Sequence, residues 1–138
     1  METEILYNSD LHFEHIQWRR ELLFWEDELK SFTNKLEELV KRWTKMEVLA
    51  QLEHYQNQFI LHSQVIDELQ HEINVHETNM AAHSIKQQDV LNQSLVHNHV
   101  EFRNRMEMQR QIYSDLKKEF SVEVNKDVFE SVKKQLNQ

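Results

Sequence analysis

Three of this chain's nine histidines, His15, His76 and His99, occupy positions that should face a helical core, and three imidazoles meeting in an interior form a transition-metal ligand set. Carboxylates accompany them. Glu72 lies four residues before His76 and stacks on the same helix face, while Glu14 and Glu77 flank the core-facing positions. A carboxylate so placed completes a coordination sphere or orients an imidazole through its second nitrogen. His12 and His83 are outer candidates nearer the same end. Such a mixture of His and Glu suits a divalent transition ion, with zinc or iron as the expectation. There is no cysteine, so thiolate chemistry, disulfides and cysteine-bound clusters are excluded.

A second chemistry fits the same residues. A polar side chain at a core position penalises misaligned helices, so buried histidines can serve only to fix helix register. His62 illustrates this, since the expected alignment sets it opposite Gln109, with Trp25 at the same height and no carboxylate at a core position nearby. A buried His62–Gln109 hydrogen bond would satisfy both side chains and disfavour a slipped pairing.

These assignments rest on the elements that carry the residues. Leu11, His15, Trp18, Leu22, Trp25, Leu29, Phe32, Leu36, Leu39 and Trp43 follow one another in steps of four and three, the seam of a coiled-coil-like bundle. The spacing resumes from Val48 through Leu52, Tyr55, Phe59, His62, Ile66, Leu69, Ile73, His76, Met80 and His83. It appears a third time over Leu95, His99, Phe102, Met106, Gln109, Tyr113, Leu116 and Phe120. Asn8, Ser9 or Asp10 can cap the first helix, Thr44 the second and Asp89 the third. Ser121 to Asn125 reads as a break, after which Asp127 caps a short last helix bearing Val128, Phe129, Val132 and Leu136.

The expectation is an all-α chain with helices over about 9–43, 46–84, 89–121 and 127–136, forming one domain across 1–138. Connections this short make successive helices antiparallel neighbours. The result is an elongated antiparallel three-helix bundle, spectrin-like in shape alone, with a short C-terminal helix. Pairing the helices about their breaks brings His15, His76 and His99 to one or two adjacent layers at one end.

Composition agrees. The 138 residues include no glycine and no proline, which disfavours tight hairpins and leaves helices uninterrupted. A mean hydropathy of -0.77 and the absence of an apolar run or basic leader point to a cytoplasmic protein outside the membrane. The net charge of -8 repels nucleic acid, and Arg103, Arg105 and Arg110 alternate with acids as on a solvated face. Glu14, Glu21 and Glu28 lie seven apart on one flank of the first helix.

No serine or threonine has a histidine and an acid at a catalytic spacing, and glycine-rich phosphate loops are impossible. Glu68-x-x-His71 and His97-x-x-x-Glu101 resemble di-iron spacings but fall off the seams and point outward. No small-molecule substrate is implied. Phe13, Ile16 and Phe24 broaden the apolar face of the first helix, leaving room for a fourth helix, a second copy of the chain or another protein partner. The leading expectation is non-catalytic metal binding by His15, His76 and His99 with Glu72 in support. The alternative is a helical interaction module whose histidines only set register.

Overall fold

Each seam residue sits one helical turn from the next, so an amphipathic helix gains most by turning that stripe toward two like partners. The computed structural model describes residues 8–43, 46–87 and 93–136, with side chains described over 10–43, 46–82 and 93–126. They form three helices, α1 (Asn8–Arg42), α2 (Met46–Gln87) and α3 (Gln93–Leu136), with no strand among the described residues. The expected caps Thr44 and Asp89 and the side chain of His83 lie outside this description.

The ring contacts give the order of packing. Along α1, His15, Trp25 and Phe32 meet His76, His62 and Phe59 of α2, so the two helices run in opposite directions. Trp18, Trp25 and Phe32 meet Phe102, Tyr113 and Phe120, so α1 and α3 run the same way. Described seam positions are buried or half-buried throughout. Most of them join one apolar cluster extending from Trp18, Ile73 and Phe102 to Leu39, Leu52 and Phe120. Leu11 and Met80, with Leu95 and Val96 against them, form a second and smaller cluster. Between the two lies the layer of His15, His76 and His99.

The acidic flank of α1 has a partner. Glu14 pairs with Arg103, Glu21 with Arg110 and Glu28 with Lys117, a ladder of three ion pairs repeating every seven residues on both helices. Arg103 and Arg110 keep 36% and 46% of their side chains exposed, as a solvated face requires, and also bridge α1 and α3. Partly exposed pairs contribute only about 0.2–1 kcal/mol each. Their larger effect is on alignment, because a one-turn slip of α3 along α1 would break all three together.

The expected break at Ser121–Asn125 is absent, and so is a separate C-terminal helix, because α3 continues to Leu136. Ser, Val, Glu and Asn lose less than about 0.7 kcal/mol each against alanine inside a helix, and Val124, one turn after Phe120, packs on the main core. Weak local preference yields to tertiary burial. Val124→Pro is accordingly expected to cost at least about 3 kcal/mol, read as a lower urea midpoint. A chain with a natural break there would tolerate the proline with little change.

His62 does not make the expected hydrogen bond to Gln109. Its ring stacks on Tyr113 at 4.5 Å with 5° between planes, and its Nε2 is buried without a hydrogen-bond partner. Tyr113 lies one helical turn beyond Gln109, so the alignment read from the breaks is short by one turn. The Tyr113 hydroxyl donates to Glu28 Oε1 at 3.0 Å, and burial together with Glu28 pushes its pKa up.

Candidate metal centre

One helix contributes each member of the histidine layer. His15 and His99 are fully buried, at 1% and 0% exposure, and His76 is half-buried. Their ring centroids are 5.0 to 5.5 Å apart. Each ring offers a nitrogen within 4.8 Å of the other two. The packing above and below is apolar, with Leu11 and Met80 on one side and Trp18 on the other, stacked on His99 at 4.9 Å.

Two carboxylates hold the buried rings from outside. Glu77 accepts from His15 Nδ1 through one oxygen and from His12 Nδ1 through the other. Glu14 Oε1 accepts from His99 Nε2 at 2.5 Å, while Arg103 donates to both Glu14 oxygens at 2.9 and 3.0 Å. A neutral imidazole has one N–H, and here each is committed to a carboxylate. The lone pairs of His15 Nε2 and His99 Nδ1 are therefore left facing one another at 3.2 Å.

Two facing lone pairs repel unless a cation lies between them, and the choice is a proton or a metal ion. Burial opposes the proton. It lowers the pKa of His15 and of His99, although Glu77 and Glu14 pull the other way. Burial lowers that of His76 as well, with His15 adding to the effect. Burial also raises the two carboxyls, but hydrogen bonds from Arg103 and His99 to Glu14, and from His15 and His12 to Glu77, outweigh it and hold both below the ordinary value. Neutral imidazoles backed by ionised carboxylates are the protonation states a metal requires.

The spacing also suits an ion. Two nitrogens on a tetrahedral zinc at about 2.0–2.1 Å stand about 3.3 Å from each other, close to the 3.2 Å seen between His15 Nε2 and His99 Nδ1. His76 Nε2 is buried with no hydrogen-bond partner. Among the described residues it is the one buried nitrogen of the layer without a partner.

Among the carboxylates, Glu14 and Glu77 bond to the buried rings and Glu72 does not. Glu72 is held by Arg105, which also lies 3.7 Å from Glu68. His12 remains at the surface, its side chain 54% exposed, bound to the same Glu77 as His15. Arg103 was not foreseen. Its signal was present in the seven-residue repeat of acids on α1, which needed basic partners at the same period. Glu68 and His71 are exposed, and His97 meets Glu101 at 3.2 Å on the surface, as their off-seam positions required.

Fold and site together define an all-α chain of three packed helices with a buried histidine layer near one end. Comparison with known proteins finds no family model, curated protein or solved structure that matches it.

Proposed function

We propose that this protein binds one divalent transition ion, zinc or iron, without catalysing a reaction. His15, His76 and His99 are the ligands, and Glu14 and Glu77 orient two of them. The observation that carries this reading is the pair of facing imidazole nitrogens at 3.2 Å, each ring already tied by its other nitrogen to a carboxylate.

Elemental analysis of protein purified without an affinity tag or chelator tests it. Near one ion per chain is expected, falling to background in His76→Ala. Zinc at a hundredfold excess over Kd should add about 2.7 kcal/mol of stability, roughly 5–10 °C in Tm for a chain near this size. A metal-free preparation whose melting ignores both zinc and EDTA would sink the proposal.

The second reading, a helical interaction module with histidines that set register, draws on the way this layer and its carboxylates tie all three helices at one height. Exposed Phe13 and Phe24 on α1 supply apolar surface for a partner. It predicts no metal, and an oligomer or a captured partner whose contact is lost in Phe24→Glu.

A further inference from the structure

Among the described residues the layer is closed on every side but one. Glu77 with His12 covers the α1–α2 side, and Glu14 with Arg103 covers the α1–α3 side. The apolar turns of Leu11, Met80 and Leu95 close one end, and those of Trp18, Ile73 and Phe102 close the other. Between α2 and α3 the surface instead opens into a groove of about 430 Å³, and His76 lines it. Val75 and Asn79 of α2 form one wall, with Asn98 and Phe102 of α3 opposite. A recess of this size falls within the range of small-molecule sites.

We propose that this groove is a ligand pocket, delivering a small neutral nitrogen heterocycle of the imidazole class to the ion held by the three histidines. This inference rests on the metal-binding reading. Three histidine ligands leave one position on a four-coordinate ion; of the three only His76 lines the groove, so a donor from the groove reaches the ion past the His76 ring. The lining selects the class. Exposed Val75 offers apolar contact for a ring, and the Asn79 and Asn98 amides offer hydrogen bonds to its second nitrogen. Glu72 and Glu101 also line the groove, with His71 and Arg105, and Arg105 is already paired with Glu72. Anions are thus disfavoured. A neutral donor replaces one water on the ion with no change of charge.

The experiment uses full-length protein loaded with cobalt(II), whose visible absorption reports its coordination. Titration with imidazole is expected to shift the spectrum to saturation with cobalt retained after dialysis, and azide should bind at least about tenfold more weakly, a difference of 1.4 kcal/mol. Val75→Trp and Asn98→Trp fill the groove from opposite walls at exposed positions. Each is expected to keep cobalt affinity and to weaken imidazole at least about tenfold.

Failure to bind cobalt overturns the metal site and the pocket together. Cobalt bound with a spectrum indifferent to imidazole, or stripped by it, overturns the pocket alone. So does an imidazole response undiminished in both tryptophan variants. Azide binding as tightly as imidazole overturns the ligand class.

Discussion

Between pH 6.5 and pH 4 the protein is expected to lose about 3 kcal/mol of stability through His62 alone, and His62→Phe should abolish that part of the loss. Burial pushes the His62 pKa down from 6.5 to about 4. Above pH 6.5 the side chain is neutral whether the chain is folded or not, so stability there is complete. As pH falls below 6.5 the unfolded chain takes up a proton that the folded chain refuses until about pH 4, and stability drains away across that window. Every tenfold loss of proton affinity on folding corresponds to about 1.36 kcal/mol, which gives the figure above. Phenylalanine keeps the stack on Tyr113 and the contact with Trp25, and it removes a buried Nε2 that has no partner. Such a replacement is nearly neutral or stabilising at neutral pH. The check is urea unfolding of both proteins from pH 8 to pH 4: the curves should diverge as pH falls. Parallel curves would mean that His62 is hydrated or paired in solution.

The seams were legible because burial depends only on which stripe of a helix faces inward, and a four-three spacing specifies that stripe without knowledge of the partner. His15, His76 and His99 could therefore be placed in the interior and near one end from the sequence alone. Residues on the flanks were another matter. Glu72 and Glu77 sit on either side of His76, and which of them faces α1 depends on whether the three helices wind clockwise or anticlockwise. A seam is silent on that handedness. With the winding observed, Glu77 reaches α1 and meets His12 and His15, whereas Glu72 turns to Arg105 of α3.

Axial alignment was legible only to within a turn, since it passes through connections whose geometry no seam contains. That is why His62 meets Tyr113 and not Gln109. The ladder from Glu14–Arg103 to Glu28–Lys117 would have corrected the α1–α3 alignment, because only one offset pairs all three acids with bases. Ser121–Asn125 misled for a different reason. Its residues mildly disfavour helix, and local preference of that size cannot report the packing of Val124.

Replacing the whole layer separates its two proposed duties. The triple variant His15→Leu, His76→Leu, His99→Leu joins the two apolar clusters into one, using side chains close in volume to those removed. Glu14 and Glu77 are about a quarter exposed, at 26% and 23%, so water can reach both once their histidines are gone. Exchanging a buried polar network for packed apolar residues is often neutral or stabilising by about 1–4 kcal/mol. The variant should therefore melt higher than the metal-free parent, unfold cooperatively as the same species, and ignore zinc. That outcome means the histidines are retained for the ion at some expense in stability. If the layer instead existed to set register, removing it would leave α2 and α3 free to slip by a turn. Broad melting, or a changed oligomeric state by analytical ultracentrifugation, would then accompany the loss of the histidines and count against the metal reading.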